Sequence, residues 1–415
     1  MNPLRQYRSY RSLLRSQWLN REAISVRQEA RLRALVDHAY HHVPYYRELF
    51  DSVGLKPSHI RQLDDLQKIP ITTKSMLQRA GPSKHVSEKY NLDALVQERT
   101  SGSTGQPFTS YFDPHFLSTR NGLFLRGLHV AGYRFGQKLL LITAGGKQLR
   151  PWLRWRYASI ESSAGDLVSE LNRFRPTVLY GCTTPLRLMA EYIKASSYRA
   201  HLPKIVISTA ETLDNNTLSL LKAGFGADVY DLYGLTEMGL VAWECPAHDG
   251  YHLSEDTMIV EFVRDDEHDA SKLIMTNLEL EAMPLIRFQT GDLASPVADR
   301  DCRCGRTLQR IRRIEGRLVD CLRLHDNTMV TPYRLTLALE SISGLGRYQI
   351  LQESSDRCNV RVEIGNSGQN GLEGKVREVL SPVLGAQMQV RVTFEKSIAP
   401  AAGQKFRIVE NKTGH

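Results

Sequence analysis

Between residues 138 and 232, short β-branched and apolar runs alternate with helical patterns, and this alternation constrains the fold more than any other feature of the chain. The runs cover 138–143, 177–180, 205–208 and 228–232, and helical spacing falls near 161–173, 184–195 and 214–223. Strand and helix in strict succession require right-handed crossovers, which lay the strands parallel and put helices on both faces of the sheet. Ligands in such sheets sit beyond the carboxyl ends of the strands. Tyr180-Gly181, Thr209-Ala210-Glu211 and Tyr233-Gly234 all fall at such ends, so three strand ends are expected to converge on one pocket.

The rest of the chain reads differently. Residues 1–90 are expected to be helical and to form a cap region, with Leu32, Leu35, Val36 and Ala39 at helical spacing in a basic background. Val43-Pro44-Tyr45-Tyr46 interrupts that pattern, and Pro70 closes the next helix. From Tyr251 onward, alternation at 258–263 and 273–276 predicts antiparallel strands. After Gly316-Arg317 the pattern gives a strand at 318–324, a helix at 333–343, strands at 347–352 and 358–363, a helix at 371–382 and a strand at 388–394. The expected fold class is α/β in two units, since 415 residues exceed one ordinary core. A large unit, 1–316, carries mixed, mostly parallel sheets flanked by helices plus an antiparallel subdomain. A small α+β unit spans 317–415.

Composition narrows the function. Hydrophobic residues make up 41% and charged residues 24%, the balance of a soluble globular chain, and no apolar run is long enough to span a bilayer. The first 18 residues have no signal-peptide core, so a cytoplasmic location is expected. The net charge of +9 and the segment 150–157, where arginines interleave with Trp152, Trp155 and Tyr157, have the flavour of a nucleic-acid binder. The same segment reads as an amphipathic helix start with solvated arginines, and no nucleic-acid partner is expected from so short a stretch.

Two motifs carry chemistry. Thr100-Ser101-Gly102-Ser103-Thr104-Gly105-Gln106-Pro107 is dense in glycine and hydroxyls, which lets backbone N–H groups and side-chain donors converge on phosphate oxygens. It lacks the Gly-Lys-Ser/Thr of a Walker loop. Tyr233-Gly234-Leu235-Thr236-Glu237 follows at a strand end and offers a flat ring, a hydroxyl and a carboxylate. Together they point to an enzyme that spends ATP. Six cysteines do not make a disulfide framework in a chain this long. Cys245, with His248 and His252 close behind, and the pair Cys302 and Cys304 could instead meet at one tetrahedral, structural Zn2+, with either imidazole as the fourth ligand.

In this order, the Thr100–Pro107 loop, Tyr233–Glu237, Arg287-Phe288-Gln289-Thr290-Gly291-Asp292, Gly316-Arg317 with Asp320, and Gly403-Gln404-Lys405 resemble the adenylate-forming enzymes. Val43-Pro44-Tyr45-Tyr46, Tyr251-His252-Leu253-Ser254-Glu255-Asp256 and Cys302-Arg303-Cys304-Gly305-Arg306 make the chain most similar to the phenylacetate-coenzyme A ligase-like branch. The resemblance implies attack of a small carboxylic acid on ATP to give an acyl-adenylate, followed by transfer to coenzyme A. An amine acceptor is the variant, and a non-catalytic zinc-stabilised scaffold or nucleic-acid binder is the rival from another class.

It also implies roles for individual residues. Thr100, Ser101, Gly102, Ser103, Thr104 and Gly105 would cradle phosphates. Ala210, Glu211, Asp231, Tyr233 and Gly234 would surround adenine, Asp292 would accept from the ribose hydroxyls, and Arg317 would stand at the hinge of a mobile small unit. Thr236 would bond the α-phosphate and Glu237 would hold Mg2+. Lys405 would stabilise charge during adenylation, with Lys396 as fallback because Gln404 displaces the usual Gly-Lys by one residue. The zinc ligands selected by the resemblance are Cys245, His252, Cys302 and Cys304. Oligomeric state does not follow from the sequence.

Overall fold

The computed structural model describes residues 3–99, 108–144, 154–196, 200–264, 270–299, 301–342, 345–363, 371–398 and 406–413. The helical start comprises α1 (Pro3–Ser16), α2 (Arg21–His42), α3 (Pro44–Ser52), α4 (Lys74–Ala80) and α5 (Pro82–His85). Asn20 caps α2 by accepting from Ala23 N, and Pro44 occupies the first position of α3, where its missing N–H has no cost. An antiparallel pair, β1 (Val96–Arg99) and β2 (Thr109–Phe112), leads to α6 (Pro114–Val130), which Asp113 caps through His115 N and Phe116 N.

The expected alternation follows as β3 (Leu139–Thr143), β4 (Trp155–Ser159), α7 (Ala164–Phe174), β5 (Val178–Cys182), α8 (Thr183–Ala195), β6 (Ile205–Thr209), α9 (Asn215–Phe225) and β7 (Asp228–Leu235). Next come β8 (Gly239–Glu244), β9 (Tyr251–Leu253), β10 (Met258–Val263), β11 (Ser271–Asn277), β12 (Phe288–Pro296) and β13 (Arg310–Arg317). Among the described residues these strands form a single eleven-stranded sheet, ordered β10-β11-β12-β13-β9-β8-β7-β6-β5-β3-β4. Every pairing from β4 to β7 is parallel, and every pairing from β7 to β10 is antiparallel. The parallel sheet and the antiparallel subdomain are thus continuous, joined by the tight turn between β7 and β8.

Burial explains the patterns. On one face of the parallel half Leu140, Ile142, Leu179 and Val206 meet Leu167, Leu186, Leu221 and Phe225 of α7, α8 and α9. On the other face Leu139, Leu141, Ile207 and Leu232 pack with Leu13 of α1 and with Leu123 and Leu128 of α6. Two-sided burial is why β3 reads as an unbroken apolar run. The helical start buries Leu32, Leu35, Tyr46 and Phe50 against Met258, Leu273, Met275 and Phe288 of the antiparallel half. The Tyr46 hydroxyl donates to Pro284 O at 3.0 Å and accepts from Ile286 N at 2.9 Å, so this region is built into the core.

The segment 154–157 is not a helix start. Residues 155–157 of it begin edge strand β4, while 150–153 lie outside the described residues, and alternating arginine with aromatic residues suits an edge that must stay soluble on one side. The expected strand at 318–324 is also corrected: 318–320 form a 3-10 turn, and β14 (Leu322–Arg323) pairs only with β15 (Met329–Val330).

The C-terminal part adds α10 (Pro332–Glu340), β16 (Tyr348–Ser354), β17 (Arg357–Glu363), α11 (Leu372–Leu384), β18 (Gln389–Glu395) and β19 (Val409–Asn411). Its four-stranded sheet, ordered β18-β17-β16-β19, has a separate core of Leu335, Leu339, Ile350, Val360, Val376 and Leu380. Gly316, at φ +117°, leads into it, and a Cβ there would lie 2.6 Å from Cγ of Pro332 in α10. Only glycine fits that close approach. No helix among the described residues is long and apolar enough to cross a membrane.

Candidate active site

A cavity of about 790 Å³ lies where the carboxyl end of β6, the carboxyl-terminal halves of β7 and β13 and the middle of β12 meet the C-terminal unit. Ala210, Glu211, Asp231, Tyr233, Gly234, Asp292 and Arg317 all line it. Register brings the last two together, because Asp292 on β12 is paired with Arg317 on β13. The Tyr233 hydroxyl donates to Asp292 Oδ2 at 2.5 Å, while Arg317 Nε stands 3.7 Å from Oδ1. Asp292 N donates to Thr290 Oγ1 at 3.1 Å. This carboxylate is buried and oriented from two sides, which suits an acceptor for a vicinal diol.

Asp231 sits deeper. Its N–H donates to Glu244 Oε2 at 2.8 Å and its Oδ2 accepts from the Tyr251 hydroxyl at 2.9 Å. Burial, and next the nearby Glu244 carboxylate, push its carboxyl up to about 7. Ala210 adopts φ +70°, a left-handed conformation costly for any residue with a side chain. The Glu211 carboxylate is engaged in the cavity wall, accepting from Thr184 N at 2.7 Å at the start of α8.

Thr236 and Glu237 lie in the β7–β8 turn, outside the cavity wall proper. Glu237 is buried, and burial raises its carboxyl while Lys74 opposes the shift. Lys74 is held low by burial and lies near both Glu237 and Arg317. Two cations and the carboxylates Glu237 and Asp292 therefore converge at one edge of the cavity. Sequence reasoning passed over Lys74, which begins α4 in the helical start. Thr72 brings it there by bridging onto β12, with Thr72 N donating to Arg287 O and Gln289 N to Thr72 O, both at 2.9 Å. Arg287 itself is structural: it pairs with Glu261 and donates to Ile69 O at 2.6 Å.

The C-terminal unit closes the cavity with Arg347, Phe406 and Arg407. Arg347 stacks over Phe406 at 3.8 Å, Arg407 O accepts from Gln349 Nε2 at 3.0 Å, and the Arg407 guanidinium pairs with buried Asp320. Across the junction Asn215 N and Nδ2 donate to the Glu340 carboxylate at 2.9 and 2.8 Å. Thr100, Ser101, Gly102, Ser103, Thr104, Gly105 and Lys405 lie outside the described residues. Lys396 is exposed just beyond β18 and does not line the cavity.

At the opposite ends of these strands, Cys245, His252, Cys302 and Cys304 bring four donor atoms within 4.8 Å of one another. Cys245 Sγ lies 3.7 Å from Cys302 Sγ, and Cys304 Sγ lies 3.3 Å from His252 Nε2. A tetrahedral zinc site requires S···S edges of about 3.8 Å and S···N edges of about 3.6 Å, so the donor set has the right size. His248 faces elsewhere, with its ring 4.8 Å from Tyr230 and Nδ1 3.7 Å from Glu244. The neighbouring Tyr251–Asp256 motif acts as a knot. Tyr251 holds Asp231, His252 joins the cluster, Gln309 N donates to Glu255 Oε2 at 2.5 Å, and Asp256 receives Arg126 at 2.6 Å.

Comparison with known proteins agrees with this geometry. A solved 2-hydroxyisobutyryl-CoA ligase, in the postadenylation state with an acyl-AMP, superposes with a TM-score of 0.79 over 95% of this chain and 91% of that one, at 21% identity. The chain has the adenylate-forming ligase fold. No family model matches it. Among curated proteins, the phenylacetate-coenzyme A ligase of Thermus thermophilus is 29% identical over 377 residues, 83% of this chain and 82% of the relative. That of Pseudomonas putida is 26% identical over 424 residues, 95% and 94% of the two chains. This chain is therefore similar to phenylacetate-coenzyme A ligases over most of its length.

Proposed function

We propose that the protein is an ATP-dependent, AMP-forming carboxylic acid ligase that makes an acyl-adenylate and passes the acyl group to the thiol of coenzyme A. The observation that carries this reading is the buried Asp292 carboxylate, held by Tyr233 and Arg317 in the wall of a cavity that β6, β7, β12 and β13 share with the C-terminal unit. In this reading Asp292 accepts from the ribose hydroxyls. Tyr233 and the Ala210 backbone flank adenine, and Asp231 accepts from its amino group. Both reactants are anions, so the site must offset charge while holding them in line. Lys74 and Arg317 supply that charge from the described residues, and Lys405 and the Thr100–Gly105 loop supply it from the sequence. Thr236 donates to the α-phosphate. Glu237 offers a hard oxygen ligand to Mg2+, which would neutralise the phosphates.

Two further readings accompany it. The part beyond Gly316 is a mobile unit that pivots at 316–320 between the two half-reactions. Cys245, His252, Cys302 and Cys304 hold a structural Zn2+ whose four protein ligands leave no open position.

Acid-dependent ATP–pyrophosphate exchange tests the main reading, using a panel of aryl, arylalkyl and short hydroxy acids. At least one acid should drive exchange, and Glu237→Gln should lower it at least about 100-fold. Thiol consumption with coenzyme A then tests the second half-reaction. Absence of exchange together with absence of calorimetric ATP binding would remove the proposal.

A further inference from the structure

The outer face of α1 takes no part in the site described above. Its inner face is accounted for. The Tyr10 hydroxyl lies 3.1 Å from His129 Nδ1, and Ser16 donates to Asp256. A Cβ at Gly122 of α6 would lie 3.0 Å from Leu13 Cδ1, so the two helices are in close contact. The helix is therefore fixed flat on the body of the protein, with a definite side turned outward.

That side has an unusual composition. Leu4, Tyr7, Arg8, Arg11 and Arg15 follow one another at helical spacing along a single exposed stripe of α1, and Trp18 stands exposed in the turn just beyond it. Leu4 is 68% exposed, Tyr7 55% and Trp18 53%. The helix contains no acidic residue. Phe135, 53% exposed, extends the apolar surface sideways through its edge contact with the Tyr10 ring at 5.5 Å. Among the described residues, three of the four large aromatic side chains that stand exposed are here: Tyr7, Trp18 and Phe135, with Tyr192 the fourth. Buried Arg306 lies over the Trp18 ring at 4.2 Å and braces that ring against the body of the protein.

We propose that this stripe docks the enzyme on an anionic lipid surface, with α1 lying in the plane of the headgroups. Charge complementarity selects the partner: arginines without a carboxylate among them attract a negatively charged leaflet. The apolar side chains select a bilayer over a nucleic acid. Tyrosine and tryptophan rings settle at headgroup level, an exposed leucine enters the acyl boundary, and arginine stems reach back to phosphate. A polynucleotide would use the arginines and rings but has no place for Leu4.

Flotation of the full chain with vesicles tests the proposal. The protein should float with phosphatidylcholine vesicles containing 30% phosphatidylglycerol, not with pure phosphatidylcholine, and added salt should weaken the association. Arg8→Gln/Arg11→Gln/Arg15→Gln should lower partitioning about 100-fold, at roughly fivefold per arginine. Leu4→Ser/Tyr7→Ser leaves the charge unchanged and should also release the protein, since insertion and not charge alone holds it. Both variants should keep the wild-type unfolding midpoint and ATP–pyrophosphate exchange. Equal binding to both vesicle types, or vesicle binding unchanged in the variants, would overturn the proposal. So would tighter binding of an oligonucleotide than of vesicles, lost in the same variants, or a dimer that the variants convert to monomer without any vesicle binding.

Discussion

Replacing Arg126 with methionine isolates a fully buried ion pair. Arg126 and Asp256 pair at 2.6 Å with both side chains fully buried at 0% exposure. Arg126 also donates to Ser254 Oγ at 3.0 Å and lies 4.1 Å over the Trp243 ring. Methionine keeps most of the volume but strands the Asp256 carboxylate, and breaking such a pair from one side costs about 3–5 kcal/mol. The lost cation–π contact is part of that figure and is not added to it. With an unfolding entropy of about 2.1 cal/mol/K per residue over roughly 300 cooperating residues, a loss of 4 kcal/mol lowers the midpoint by about 6 °C. Differential scanning calorimetry would read the shift in Arg126→Met, Asp256→Leu and the double variant. The double variant removes both charges and should recover most of the loss, because no buried charge is left without its partner. A double variant as unstable as Arg126→Met would refute the reasoning and assign the loss to packing.

Further expectations follow from the site. Asp231 has a folded-state pKa of about 7, above its unfolded value, so its contribution is fully present below about pH 4 and is lost as pH rises through 7. Asp231→Asn should therefore gain stability over wild type between pH 5 and pH 8 in urea titrations, and a constant difference across that range would contradict the assignment. Gly316→Ala forces a side chain into φ +117° and against Pro332, so its midpoint should fall by about 1–3 kcal/mol in equivalent stability and its exchange rate should drop at least about tenfold. Protein purified without added zinc should contain one equivalent by atomic absorption. Cys302→Ser/Cys304→Ser should contain none and unfold at lower temperature, while full metal content in that variant would exclude the four-residue site.

How much of this could be read in the sequence depended on the range of the forces involved. The parallel half was legible because β3, β5, β6 and β7 are buried on both faces and their helices on one, which stamps two distinct periods on the chain. Edge strand β4 was not, since the short alternation Arg154-Trp155-Arg156-Tyr157 can be laid on a helix as easily as on a strand. The merging of both halves into one sheet was hidden in the β7–β8 turn, whose residues look functional and are also the corner that reverses strand direction. Asp231, Tyr233 and Asp292 were singled out by motif, and β7 and β12 bring them to one cavity. Lys74 was invisible because its place depends on a bridge between Thr72 and Phe288, more than 200 residues apart in the numbering. The cysteine spacing exposed the donor cluster, but choosing between His248 and His252 needed the β9 register that sets His252 beside Trp243 and Arg310.

The pairing of Asp292 with Arg317 has a mechanical corollary. Asp292 and the residue immediately after Gly316 stand on the same rung of a ladder, so in the proposed function a swing of the C-terminal part would disturb the carboxylate proposed to hold the ribose. Under that proposal loading and rotation would share one lever arm, and no separate relay would be needed to tell the C-terminal part that its seat is taken.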